Sequence, residues 1–135
     1  MTTSIYRESH FNACHRMHNP NWSNEKNASI FGLCNSPNYH GHNFKLIVKL
    51  TGEIDEETGY IMDLKVLSTL IKEHVESRFD HKNLNLDCPE FANKLASTEN
   101  FSWVIYSILR PLIPANLKLG LILYETERNY VEITE

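Results

Sequence analysis

From position 44 onward apolar and polar residues alternate: Phe44, Leu46, Val48 and Leu50 share one parity, with Lys45 and Lys49 between them. A period of two marks a strand with one buried face, and the pattern predicts a strand from His40 to about Ile54. Residues 4–16 read as an earlier strand, with Phe11, Ala13 and His15 on one face and Cys14 on the other. Between these two strands, residues 17–33 are polar and without periodicity. That predicts a long loop, of the length that in compact domains is often functional. Asp55-Glu56-Glu57-Thr58-Gly59 is turn chemistry. The period then changes. Leu64, Leu67, Leu70, Ile71, His74 and Val75 form a helical stripe that Asp63 can cap, ending near Phe79.

Asp80-His81-Lys82-Asn83-Leu84-Asn85 follows directly, and the section through Pro89 to Ala96 is irregular. Ser97 or Thr98 can cap a second helix, with Glu99 in its first turn and Phe101, Val104, Ile105, Ile108 and Leu112 on its apolar side. Pro111 and Pro114 mark its end. Leu119, Leu121 and Leu123 return to the strand period up to Glu125. Glu127-Arg128-Asn129 then turns into a last short strand, Tyr130–Thr134. The order is β-β-α-α-β-β, which predicts an α+β fold: an antiparallel sheet with both helices on one face. The other face needs a cover that so short a chain does not carry, and self-association supplies one most simply.

Composition narrows the function classes. The chain has 135 residues, enough for one domain, 1–135, with one core. It is 41% hydrophobic and 22% charged, as globular domains are. No apolar run has the length of a membrane span, and the first residues lack an apolar signal core, so a cytoplasmic location is expected. Three cysteines, at 14, 34 and 88, have no framework spacing and are expected as free thiols. A net charge of −4 without a basic run argues against a nucleic-acid partner.

The candidate chemistry lies in histidines. His40 and His42 are two apart on a strand and project the same way, with Cα atoms roughly 6.5–7 Å apart, close enough for both to hold one metal ion. Gly41 between them would let another group approach from the opposite face. His15 taken alone is more often a hydrogen-bonded core residue than a ligand. If the first two strands pair as a hairpin, however, it stands beside the His40/His42 pair. Three imidazoles without an obvious fourth ligand describe a catalytic zinc site, since structural sites are usually closed by cysteines. Cys34 could close the tetrahedron, or it could stand off the metal as a catalytic thiol. Asp80-His81 suggests an acid/base pair, although such neighbours are more often solvated loop.

These segments together resemble the 6-pyruvoyl-tetrahydropterin synthase family of tunnelling-fold pterin enzymes. The resemblance runs through Phe11-Asn12-Ala13-Cys14-His15-Arg16 and Phe31-Gly32-Leu33-Cys34-Asn35-Ser36-Pro37-Asn38-Tyr39-His40-Gly41-His42-Asn43-Phe44. It continues in Gly52-Glu53-Ile54-Asp55, Phe79-Asp80-His81-Lys82-Asn83-Leu84-Asn85, Ser97-Thr98-Glu99-Asn100 and Tyr124-Glu125-Thr126. It implies one zinc ion per subunit on His15, His40 and His42, a catalytic thiol at Cys34 and a catalytic Asp-His pair at Asp80 and His81. It also implies a pterin-anchoring carboxylate at Glu125, with Thr98 and Glu99 in the same pocket. The implied fold is a four-stranded antiparallel sheet with two helices, three sheets closing into a barrel and two barrels stacking as a hexamer with sites between subunits. The implied substrate is 7,8-dihydroneopterin triphosphate. The products would be 6-pyruvoyl-tetrahydropterin and triphosphate, or, in the queuosine-pathway relative, 6-carboxy-tetrahydropterin with acetaldehyde and triphosphate. The placement of Cys34 six residues before His40 favours the first, whereas Ile61-Met62-Asp63-Leu64 looks more like the second. Asn12, Cys14, Leu33 and Tyr39 depart from the family pattern without removing a required chemical group. Lys82 and Arg16 are candidates for the triphosphate by proximity in sequence alone.

Overall fold

The β1–β2 hairpin is the spine of the molecule. The computed structural model describes residues 1–135, and β1 (Thr3–His15) pairs antiparallel with β2 (His40–Gly52) along the full length of both. The register joins Thr3 to Gly52 at one end and His15 to His40 at the other. β2 pairs antiparallel with β4 (Lys118–Tyr124), which pairs antiparallel with β5 (Tyr130–Ile133). A two-residue strand, β3 (Lys82–Asn83), lies parallel to β1 at Ala13 and Cys14, giving the order β3-β1-β2-β4-β5. The four strands read from the pattern are therefore all present. The fifth is too short to carry any alternation.

Alternation decides which face is buried. Phe11 and Ala13 on β1, Phe44 to Leu50 in steps of two on β2, and Leu119, Leu121 and Leu123 on β4 point under the helices and are buried. Helix α2 (Leu64–Ile71) is capped by Asp63, whose carboxylate accepts the Lys65 N–H at 2.8 Å. It runs on through a π-helical stretch, Lys72–Glu76, and a last turn, Ser77–Phe79. Helix α3 (Thr98–Leu109) is capped by Ser97, which accepts the Asn100 N–H at 3.1 Å. Phe101 of α3 sits at the centre of the core. Its ring meets those of Phe11, Phe44, Phe79 and Phe91 edge-on at 4.9–5.9 Å, an arrangement aromatic quadrupoles favour. Fully burying each such ring stabilises the fold by roughly 1.5–3 kcal/mol. This aromatic block is also the floor on which His15 and His42 rest, their rings 6.4 and 5.8 Å from Phe44.

The opposite face carries no layer. Tyr6, Glu8, His10 and Asn12 of β1 and Tyr130 and Glu132 of β5 are exposed there. The edge of β1 from Thr3 to Asn12 has no strand beside it, since β3 pairs only with Ala13 and Cys14.

Two local expectations change. Residues 17–33 are not all loop: Asn24–Phe31 forms a helix, α1, capped by Ser23 and ended by Gly32 at φ 55°. Its buried residue is Asn27, whose amide donates to the carbonyls of Asn19 and Ser23, so it lacks the apolar stripe that would have announced it. Gly41 is also less constrained than its position suggested. A Cβ there would meet the Ala13 carbonyl at 3.7 Å and Cys14 Cβ at 3.9 Å, ordinary contacts.

Candidate active site

The hairpin register brings the three histidines to one end of the sheet's helix-facing side. His15 lies opposite His40 and His42 follows on the same side of β2, with ring centroids 4.6–5.1 Å apart. One nitrogen from each ring lies within 4.8 Å of the other two. His15 is 2% exposed, and its Nδ1–H donates to the Ala96 carbonyl at 2.6 Å. That bond fixes the tautomer and leaves a lone pair on Nε2. His15 is thus both things the sequence left open, a hydrogen-bonded core residue and a donor aimed at its neighbours.

His15 Nε2, His40 Nδ1 and His42 Nε2 are all buried without a hydrogen-bond partner. A buried polar atom left unpaired is costly, and three of them converging on one point fit a cation. Burial is the main cause holding all three imidazole pKa values below the usual histidine range, with charge on neighbouring histidines adding to it. The nearby Glu125 carboxylate pulls the other way without prevailing. Neutral imidazoles are the form that binds metal. Three nitrogen donors with no cysteine suit a zinc ion with an open position. Cys34 does not belong to the donor cluster.

Glu125 begins the β4–β5 turn. Its carboxylate oxygens lie 3.8 Å from His15 Nε2 and 3.6 Å from His42 Nε2, and the Thr98 hydroxyl donates to it. A cavity of about 410 Å³ opens here, lined by His15, Met17, Cys34, Thr98, Glu99, Glu125 and Arg128 among others. Cys34 is exposed, on the 3₁₀ turn Gly32–Asn35, whose carbonyl at Cys34 accepts the Met17 N–H at 2.8 Å. The fold therefore gathers Cys34, Thr98, Glu99 and Glu125 around one hollow beside the histidines.

Asp80 and His81 are not in that hollow. They sit just before β3, where Asp80 Oδ1 accepts the Asn12 N–H at 3.0 Å and the His81 N–H donates to the Asn12 carbonyl at 2.7 Å. His81 Nδ1 is 3.0 Å from Asp80 Oδ2, its ring is 76% exposed, and its backbone holds φ 61°. The Asn12 N–H is the main cause holding the Asp80 carboxyl below its usual range, aided by His81. His81 lines a second cavity, of about 520 Å³, with Cys14, Gly41, His42 and Lys82. Arg16 borders a third, with Tyr39 and Lys94. Neither Arg16 nor Lys82 lines the Cys34 cavity. The basic side chain that does is Arg128, which the sequence showed only as part of a turn. Its position three residues after Glu125 was the available signal.

Similarity to known proteins bears on this geometry. Residues 4–135 match the family model described as 6-pyruvoyl tetrahydropterin synthase. The human 6-pyruvoyl tetrahydrobiopterin synthase is 39% identical over 127 residues, covering 94% of this chain and 88% of that protein. The Dictyostelium discoideum protein of the same name is 38% identical over 130 residues, covering 96% and 94%. The solved Caenorhabditis elegans 6-pyruvoyl tetrahydropterin synthase superposes with a TM-score of 0.93 at 31% identity, covering 100% of this chain and 96% of that one. The chain belongs to the 6-pyruvoyl tetrahydropterin synthase family.

Proposed function

We propose that this enzyme is a lyase that converts 7,8-dihydroneopterin triphosphate to 6-pyruvoyl-tetrahydropterin and triphosphate. The observation that carries the reading is the convergence of three unpartnered imidazole nitrogens beside a cavity holding Cys34 and Glu125, in a chain of this family. His15, His40 and His42 would hold one zinc ion per subunit. When bound there, zinc supplies Lewis acidity to the substrate's side-chain hydroxyls and so acidifies the neighbouring C–H bonds.

The chain's own residues do the rest. Glu125 would accept paired N–H bonds from the pterin ring, a charge-assisted geometry that fixes orientation. Thr98 steadies that carboxylate, and Glu99 lines the same hollow. Cys34, as thiolate, would take a proton from side-chain carbon. His81, oriented by the Asp80 carboxylate 3.0 Å from its Nδ1, would move a second proton. The cavity about Cys34 has Arg128 as its basic side chain, and we assign the triphosphate to it.

Asp80 and His81 lie outside the Cys34 cavity of their own chain, so we infer that they serve the site of a neighbouring subunit. The bare face of the sheet and the free edge of β1 support a ring of sheets closed into a barrel, with two barrels stacked as a hexamer, a dimer of trimers. No helix is long and apolar enough to cross a membrane, and we infer a cytoplasmic location. The test is turnover of the triphosphate by zinc-loaded protein with identification of the product. Absence of turnover overturns the reading, and release of acetaldehyde replaces it with the 6-carboxy-tetrahydropterin reaction.

A further inference from the structure

The side chain of Asn85 closes a ring with the backbone of Arg16. The Arg16 N–H donates to Asn85 Oδ1 at 2.8 Å, and Asn85 Nδ2–H donates to the Arg16 carbonyl at 2.9 Å. A primary amide has one acceptor and a donor side by side, the same pair a neighbouring strand would offer. The ring thus continues, through a side chain, the pairing of β3 with β1 at Ala13 and Cys14. That pairing begins at Asn12, which bonds both Asp80 and His81. Residues 12 to 16 are therefore bonded along one side to the segment that carries the Asp-His pair.

The same rail holds the thiol. Past Arg16, the Met17 N–H donates to the Cys34 carbonyl at 2.8 Å. Arg16 Nε–H donates to the Asn35 carbonyl at 2.9 Å, and Asn35 Nδ2–H donates to the Met17 carbonyl at 2.7 Å. From the middle of the rail His15 reaches inward toward His40 and His42. Without Asn85 the rail would end at Cys14, and Arg16 would carry the Cys34 turn with its own N–H and carbonyl unpaired.

We propose that Asn85 is a positioning residue: its amide clamps Arg16 so that the Cys34 turn and the Asp80-His81 segment keep one fixed spacing along β1. This rests on the function proposed above, in which the thiol and the Asp-His pair serve catalysis at adjacent sites. Asn85 then links those sites mechanically within one chain. Displacement of a reacting group by about 1 Å can cost about 100-fold in rate, so a loosened clamp acts on kcat rather than on substrate binding.

The test uses full-length zinc-loaded protein carrying Asn85→Asp, which keeps the shape but turns an acceptor toward the Arg16 carbonyl. Asn83→Ala is the comparison. It removes the cap of the same turn, where Asn83 Oδ1 accepts the N–H groups of Asn85 and Leu86, and leaves the Arg16 ring intact. Three quantities are read: zinc content, kcat against KM, and the rate at which iodoacetamide labels Cys34, followed by peptide mass analysis. Asn85→Asp is expected to keep its zinc, lose about 10- to 100-fold in kcat with KM within twofold, and change the Cys34 labelling rate several-fold. Asn83→Ala is expected to change neither kcat nor labelling by more than about twofold. Equal effects of the two variants would make Asn85 merely structural and overturn the proposal, as would unchanged Cys34 labelling in Asn85→Asp. Because labelling needs no substrate, it reads the clamp even if the wild-type protein fails to turn over the triphosphate.

Discussion

Thr98→Val isolates one bond at the heart of the cavity. Thr98 is 7% exposed and its hydroxyl donates to the Glu125 carboxylate. Valine keeps the shape and removes the donor. A hydrogen bond to a charged partner contributes about 1.5–3 kcal/mol. The Glu125 side chain is 24% exposed, so water can take up part of the lost bonding and the lower end of that range applies. In the proposed function Glu125 presents a fixed carboxylate to a pterin, and a loss of about 1.4 kcal/mol in its placement corresponds to about 10-fold in Kd. The assay is fluorescence titration with an unphosphorylated pterin, run beside Thr98→Ser, which restores the hydroxyl. Zinc content should not change, because Thr98 bonds none of the three unpartnered nitrogens. A Kd for Thr98→Val within about twofold of wild type would refute the assignment of Thr98 as the steadying partner of Glu125. So would a Thr98→Ser protein as weak as Thr98→Val.

Other outcomes follow from the same geometry. His42→Ala should lose zinc by metal analysis, whereas Cys34→Ala should keep its zinc and lose turnover; metal loss in Cys34→Ala would make Cys34 a ligand. Arg128→Ala should raise KM for the triphosphate substrate about 10-fold or more while leaving the Kd of an unphosphorylated pterin within twofold, the loss expected of one charge-assisted contact. Burial depresses the pKa of all three histidines, so protons compete with zinc only below the ordinary histidine range near ~6.5. Zinc content after stepped dialysis should hold at that pH and fall on further acidification, and loss beginning above about pH 7 would contradict the shift. By the same sign, the metal-free fold should weaken as pH drops below about 6.5, because the unfolded histidines bind protons that the buried ones refuse. Mixing His42→Ala with Asp80→Ala subunits under conditions of exchange should restore activity if sites are shared; an active monomer would exclude sharing.

Legibility in the sequence followed the length over which a pattern repeats. β2 alternates from Phe44 to Leu50 and α2 carries a continuous stripe, so both could be read directly. The three histidines could be read together because strand pairing is periodic as well. A hairpin that puts Phe11 opposite Phe44 must also put His15 opposite His40. The gathering of Cys34, Thr98, Glu99 and Glu125 had no such periodic basis. It was implied by resemblance of whole segments, and their common cavity is a property of the Cys34 turn, the first turn of α3 and the β4–β5 turn meeting at the end of the sheet.

What stayed hidden is held by side chains bonding to distant backbone. Helix α1 turns a polar asparagine inward, and Asn27 is fully buried with its amide spent on the carbonyls of Asn19 and Ser23. A hydrophobic period cannot report a core made of an amide. β3 is two residues long, and its continuation toward Arg16 is the Asn85 side chain, 69 residues away in sequence. Nothing local to Asp80-His81-Lys82-Asn83-Leu84-Asn85 specifies that partner. Its physical consequence is nonetheless large. The one segment that the fold sets apart from the Cys34 cavity is bonded, residue by residue, to the strand that carries His15. A shift of the Asp-His pair therefore either moves β1, and His15 with it, or breaks those bonds.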